Sequence, residues 1–348
     1  MNSFSKYVIG FTGVIILLIY GQSILVPFIF ALLLWFTIRV FSSISKNIPY
    51  YGKYVPENLK KLLSAILVFS ILYFFSTIIL SSFNSIIDSH HDYNENLSNL
   101  IILINEQFQI DLESYIKNQS SEISITGFVE MLFDAISNII SSTLMIIIFT
   151  IFIFIEEKHL NKKLNQFLSE SNSNYKGLDK TLNKIEQSVS KYLGIKTLSS
   201  LLTGLLSFVV FYFCDLNFAV FWAFLIFLLN FIPTIGSLLA TLFPVGFSLL
   251  QFGEFTTATI ILIIVTSIQV VIGNLIEPRW MGNSMNISPL VSILSLMFWG
   301  LIWGTTGMII SVPFTVVVII ILSEIESTRP LAILLSEKGD ISEKDLSK

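Results

Sequence analysis

The chain has 348 residues, of which 53% are hydrophobic and 13% charged, with a formal net charge of -4. Its mean hydropathy of +0.78 is too high for a soluble domain of this length, in which about a quarter of residues are charged. The composition therefore predicts an all-α polytopic membrane protein whose main partner is the lipid bilayer. The acidic balance argues against nucleic acid, whose binders carry a dense basic face. The single Cys214 excludes an intrachain disulfide and a multi-cysteine metal site.

An apolar run of roughly 17 to 25 residues crosses a bilayer as a helix. Residues 7–20 and 24–41 form a close pair split by Gly21 and Gln22. Lys6 before the first run raises a cleaved signal peptide, but no small-x-small cleavage site follows and a second apolar run begins at once. The run is read as a retained helix. A third span at 62–83 completes an amino-terminal group over 1–83. After an outer segment, 84–136, a fourth span lies at 137–155; an inner segment, 156–196, precedes a fifth at 197–214.

Charge sets the orientation. Residues 39–61 hold Arg39, Lys46, Lys53, Lys60 and Lys61 against Glu57, and 156–196 holds eight lysines. Residues 84–136 carry only Lys117 beside nine acids. The positive-inside rule then puts the first and third of these segments in the cytoplasm and the acidic one outside. Both termini, including a tail at 323–348, are expected on the cytoplasmic side.

Both larger connecting segments carry helical periodicity. Leu97, Ile101, Ile104 and Phe108 mark the outer one, and Leu178, Leu182, Ile185, Val189 and Tyr192 the inner one. Their apolar stripes are expected to pack on the membrane helices or on a neighbouring subunit. The inner helix has a second option, lying in the lipid interface with Lys180, Lys184, Lys191 and Lys196 beside its apolar face.

From Leu198 to Leu322 only Asp215, Glu254, Glu277 and Arg279 are charged. Residues 217–252 are too long for one simple span and are broken at "IPTIG", with Asn230, Pro233 and Gly236 around the break. Residues 288–322 are interrupted at "WGLIWGTTG", which holds Gly304 and Gly307, and then carry Pro313. Pro removes a backbone donor and Gly admits unusual backbone angles. At membrane depth such backbone is tolerated where protein buries it or where it lines a cavity. The pair predicts two broken, re-entrant-like hairpins flanking one cleaner helix at 256–276, about eight membrane segments in all, with a transport core over 197–322. The plainer alternative is tight turns between short, tilted helices.

The helix at 256–276 places Thr266, Gln269, Gly273 and Glu277 at i, i+3, i+7 and i+11, on one face that Asn274 borders. An ionisable group near membrane depth is costly and points to function. Glu277 is the leading candidate; its alternative is a carboxylate just past the helix end, paired with Arg279, if Pro278 terminates the helix. Gln269 and Asn274 have the alternative of hydrogen-bonding across helices. No zinc-binding H-E-x-x-H, phosphate-binding G-x-x-x-x-G-K-[ST] or G-x-S-x-G stretch is present. His90, His91 and His159 fall in connecting segments. The sequence calls for no cofactor, no metal and no enzyme activity.

The succession "KYLGIKTLSSLLTGLLSF", "LLNFIPTIGSLLATLFPV" and "GNLIEPRWMGNSMNISPLVSILSLMFWGLIWGTTGMIISVPF" resembles the autoinducer-2 exporter family of bacterial permeases. The shared motifs are Ile232, Pro233, Thr234, Ile235 and Gly236; Glu277 and Pro278 with Gly282, Ser288, Pro289 and Leu290; and Gly300, Gly304, Gly307 and Pro313. Ser288 departs from the His that relatives commonly place before that proline. The resemblance implies a multi-span, homo-oligomeric secondary transporter of a small solute in the bacterial inner membrane, or a sodium or lithium/proton antiporter in which Glu277 exchanges a proton for a monovalent cation. A membrane scaffold or regulator is the reading outside transport.

Overall fold

The computed structural model describes residues 3–45, 55–88, 143–170, 178–282 and 286–337, with positions 96, 100, 102, 105 and 339. Every regular element among them is helical. In chain order they are α1 (Ser3–Tyr20), α2 (Gln22–Ser45), α3 (Glu57–Asp88), α4 (Thr143–Glu170), α5 (Leu178–Phe213), α6 (Ala219–Leu229), α7 (Ile235–Phe252) and α8 (Phe255–Val271). A π turn (Ile272–Ile276), α9 (Glu277–Met281), α10 (Pro289–Glu324) and α11 (Arg329–Leu335) complete the order. Among the described residues six helices are long and apolar enough to cross a bilayer: Gln22–Arg39, Leu59–Ile78, Lys180–Phe213, Ile235–Phe252, Phe255–Met281 and Pro289–Glu324. Helices meet the demand that lipid makes on a chain, because each satisfies its backbone hydrogen bonds internally. The protein is thus an all-α polytopic membrane protein.

Several boundaries differ from the sequence reading. The inner amphipathic helix and the fifth span are one helix, α5, because no proline interrupts 178–213. α4 runs on to Glu170, well past the apolar stretch, through residues such as Glu, Lys, Leu and Gln that favour helix without needing lipid. The segment read as a plain tail contains α11, opened by Pro330 in its first turn. The stripe Leu97, Ile101, Ile104 and Phe108, with His90 and His91, lies outside the described residues.

The chain divides into two compact units. The first comprises Met1–Ala65, Ser142–Lys196 and Trp280–Lys348. There Val189, Tyr192 and Leu193 of α5 pack against Val312, Val316 and Ile320 of α10. Ile185, Val189 and Tyr192 of the inner helix's apolar stripe therefore pack on a membrane helix, while Leu182 stays exposed. A second cluster joins Ile29 of α2 to Trp299, Trp303 and Ile310 of α10, where Trp303 Nε1 donates to the Leu18 carbonyl at 2.9 Å. At the charged ends of these helices Glu157 of α4 accepts from Lys61 at 2.8 Å and from Trp35 Nε1 at 3.2 Å. Arg39, stacked 4.8 Å over the Trp35 ring, ion-pairs with Glu186 of α5 at 2.7 Å.

The second unit comprises Ile66–Ser141 and Thr197–Arg279. Its core gathers Phe211 of α5, Trp222 and Ile226 of α6, Phe247 of α7 and Ile261 and Val265 of α8. Phe75 of α3 stacks on Phe224 with ring centroids 4.0 Å apart. Aromatic contacts of this kind add to the burial of apolar area.

Candidate functional site

Each of the two segments that Pro and Gly punctuate folds back on itself, one in each unit. The first hairpin, α6 and α7, lies in the second unit. Its open ends are tied together: the Asn217 N–H donates to Gln251 Oε1 at 2.7 Å, and Gln251 Nε2 donates to the Asp215 carbonyl at 2.7 Å. Asn96 Nδ2 donates to the carbonyls of Leu250 and Gln251 at 2.9 and 3.0 Å. The hairpin consequently begins and ends at one level. At its tip Thr234, with φ 61° and ψ -59°, forms a γ-turn closed by the Ile235 N–H on the Pro233 carbonyl at 2.6 Å. Such a turn is strained for a residue with a side chain. A Cβ at Gly236 would sit 1.8 Å from the Leu229 carbonyl oxygen, so the return arm can pass the first only with glycine there.

The second hairpin is the two halves of α10, in the first unit, broken at Trp303 (φ -127°, ψ 17°) and Gly304 (φ 60°, ψ -144°). A Cβ at Gly307 would lie 1.8 Å from the Trp299 carbonyl oxygen. Its arms are stitched by polar groups: Ser295 Oγ donates to the Ser311 carbonyl at 3.0 Å and bonds to Thr315, onto whose hydroxyl Trp299 Nε1 points at 3.4 Å. Pro313 sits buried inside the return arm. Gly304, Gly307 and Pro313 thus build this second hairpin.

The other predicted residues all lie in the second unit, and α5 brings two of them together. Ser199 Oγ donates to Glu277 Oε2 at 2.9 Å. The next residue, Ser200, accepts from Asn230 Nδ2 at 3.1 Å. Asn230 closes α6, directly before the first hairpin's tip. Two adjacent serines therefore hold both the carboxylate and the tip amide. Gln269 has a buried Nε2 with no hydrogen-bond partner, and Asn274 is exposed in the π turn.

Pro278 does not end the helix, the alternative that the sequence left open; the chain absorbs it with a π turn. In an α-helix the proline ring clashes with the carbonyl four residues back. Here the turn widens over Ile272–Ile276 and the Glu277 N–H bonds to the Ile272 carbonyl, five residues back. The Gly273 carbonyl is then served neither by Glu277, already committed, nor by Pro278, which has no N–H. The helix ladder therefore offers this carbonyl no donor, one turn from the Glu277 carboxylate. The inserted residue also changes the register: eight positions from Gln269 to Glu277 act as seven, two full turns, which aligns these two residues rather than all four of the expected series. π turns of this sort are frequent at functional positions.

Sequence reasoning missed Ser199 and Ser200. The signal was present in "KTLSSLLTGLLS", where hydroxyls recur at Ser199, Ser200, Thr203 and Ser207 along one face of an apolar span.

The description AI-2E family transporter matches residues 6–327. A Haemophilus influenzae protein provisionally named a transport protein is 31% identical over 345 residues, covering 96% of this chain and 97% of that relative. The AI-2 transport protein TqsA of Escherichia coli is 34% identical over 226 residues, 65% of this chain and 63% of its own length. Escherichia coli YhhT, also provisionally named a transport protein, is 30% identical over 263 residues, 74% of each chain. With the family description spanning both hairpins and the α5–Glu277 contact, this chain belongs to the AI-2E family of membrane transporters.

Proposed function

We propose that the protein is a secondary transporter of a small solute or ion in the bacterial inner membrane, with both termini cytoplasmic, and that its path runs beside α5 in the second unit. One observation carries the reading: Ser199 and Ser200 hold Glu277 and Asn230, so a carboxylate and a hairpin tip are bound by adjacent residues in the membrane-spanning part of α5. Strained backbone and an ionisable group at membrane depth persist where they serve a purpose. No phosphate-binding loop is present to couple transport to ATP within this chain, so the movement draws on an ion gradient, a partner or the solute's own gradient.

A second reading, sodium or lithium/proton antiport, draws on the acceptor set around Glu277. A carboxylate, the Ser199 hydroxyl and the Gly273 carbonyl are hard oxygen donors, which suit a small monovalent cation. A proton competes for the same carboxylate. In the exporter reading the same groups hydrogen-bond a hydroxylated solute, in keeping with the printed name of TqsA.

Reconstitution into vesicles with a panel of ions and small solutes, with and without a sodium or proton gradient, tests both. Flux is expected from the native chain, and Glu277→Gln is expected to abolish cation-driven pH changes. Unchanged exchange in that variant removes the proton-carrier role. No flux of any solute favours a scaffold or regulator instead. The homo-oligomer implied by family resemblance is tested by native mass spectrometry of the purified protein.

A further inference from the structure

α11, the last helix among the described residues, is apolar on every side after Arg329. From Pro330 to Leu335 it carries no polar residue, and a helix that is apolar all round is stable where something covers it all round. The protein covers one side: Ala332, 0% exposed, and Ser336, just past the helix, are buried, and Leu335 is half-buried. These three fall within one arc of the helix. The opposite arc is open, with Leu331 53% and Leu334 76% exposed and Ile333 exposed between them.

Hydrogen bonds fix α11 to the open end of the second hairpin. Ile325, extended at φ -101° and ψ 116°, takes the chain out of α10, and the Thr328 hydroxyl donates to the Leu322 carbonyl at 3.0 Å, closing a tight reversal. At the other end the Leu335 carbonyl accepts from the Ser288 N–H at 3.2 Å, one residue before α10 begins, and the Glu337 N–H donates to the Asn286 carbonyl at 3.3 Å. α11 therefore joins the last turn of the return arm to the first turn of the outgoing arm. Both arms carry exposed apolar rows that run to this place. Leu290, Leu294, Met297 and Leu301 recur at i, i+4, i+7 and i+11 on the outgoing arm. Val318, Ile321 and Ile325 recur at i, i+3 and i+7 on the return arm. α10 is long and apolar enough to cross a bilayer, so these rows present a lipid-facing surface, and the open arc of α11 begins where they end.

We infer that α11 is a lipid-interface anchor: its carboxyl-terminal turn, led by Leu334, dips into the bilayer at the face where the second hairpin opens, while Glu326 and Arg329 stay in water. Apolar area rather than charge drives the insertion. Residues 324–338 carry Glu324, Glu326 and Glu337 against Arg329 and Lys338, which offers anionic lipid no net attraction. The anchor holds the ends of both arms at one depth, and with them the turn at Gly304. It holds for either orientation of the chain in the bilayer and for any cargo.

The test is site-directed fluorescence in vesicles, in a Cys214→Ala background. A nitrobenzoxadiazole probe is attached at Leu334→Cys, at Leu294→Cys on the exposed row of α10, and at Glu326→Cys on the polar turn. Bromine on the lipid acyl chains near the headgroup quenches a probe in the interface, and aqueous iodide quenches one in water. Leu334→Cys and Leu294→Cys are expected to be quenched about twofold or more by the brominated lipid and little by iodide, and Glu326→Cys the reverse. The quenching at Leu334→Cys is expected to be the same in zwitterionic vesicles as in vesicles with added phosphatidylglycerol, and unchanged by salt. Iodide quenching at Leu334→Cys means that α11 lies in water and overturns the proposal. Quenching by neither agent also overturns it, because protein, a second copy of the chain or a separate partner, then covers the leucine. Dependence on anionic lipid overturns it as well, since charge and not apolar area then holds the helix. Should the label at 334 disturb the fold, seen as altered gel filtration, Leu331→Cys decides by the same readings.

Discussion

Both hairpins turn by the same device, a glycine whose absent Cβ lets the return arm pass a carbonyl of the first at Gly236 and Gly307. Under the turn they diverge. The second hairpin spends its polar side chains on itself, through Ser295, Ser311, Thr315 and Trp299, and seats Trp303 on the Leu18 carbonyl. Beside the first hairpin the polar groups reach out to α5, and Trp222 Nε1, Ser207 Oγ and Gln269 Nε2 remain unmatched. A closed polar set fixes one conformation, whereas an open one leaves hydrogen-bonding capacity for something that is not protein. The same breakers thus yield one self-contained hairpin and one whose polar tip pairs with another helix.

The turns themselves offer the largest test. Gly236→Ala and Gly307→Ala each push a methyl to 1.8 Å from a backbone oxygen. Each is expected to cost about 3 kcal/mol or more, because a backbone contact cannot relax as a side chain can. Thermal denaturation in detergent, followed by circular dichroism, reads the loss. If one variant is tolerated, the two turns are not equivalent.

The next pair should differ in sign. Gly304 holds φ 60° and ψ -144°, a conformation close to glycine's own, and Gly304→Ala is expected to destabilise by about 1 to 3 kcal/mol. Thr234 holds φ 61° with a branched side chain, so Thr234→Gly relieves strain and is expected to raise the melting temperature. The gain is reduced by glycine's greater unfolded-state entropy, roughly 0.5 to 1 kcal/mol. A fall in melting temperature for Thr234→Gly means that its side chain contributes something the turn geometry does not reveal.

Smallest is the contrast between two buried serines. Ser295→Ala removes a hydroxyl that bonds Ser311 and Thr315 and should cost about 1 kcal/mol. Ser207→Ala removes an unpartnered hydroxyl and should be close to neutral in stability, within about 0.5 kcal/mol. Equal destabilisation by both, measured by the same thermal scan, erases the distinction between a closed and an open polar set.

Much of this was legible from residue types. Apolar runs long enough to cross a bilayer, the lysine distribution and the positions of Pro233, Gly236 and Gly304 follow from local chemistry that needs no partner. Whether the helix ends at Pro278 stayed open in the sequence, because a proline reports a missing donor without saying whether the chain stops or widens. A π turn is stabilised or not by what surrounds it, and here Glu277 emerges facing Ser199. Ser199 and Ser200 themselves looked like ordinary small residues of a membrane helix.

By itself the sequence determined that this is a helical membrane protein, where its helices break, and which family it resembles, since hydropathy, backbone donors and motif spacing are properties of single segments. Tertiary structure decided which breaks share polar partners. Hydrogen bonds across 78 residues, as between Ser199 and Glu277, or 30, as between Asn230 and Ser200, depend on packing that no local pattern specifies. It also decided which polar atoms are left over, because an unmatched donor is defined only once every neighbour is in place.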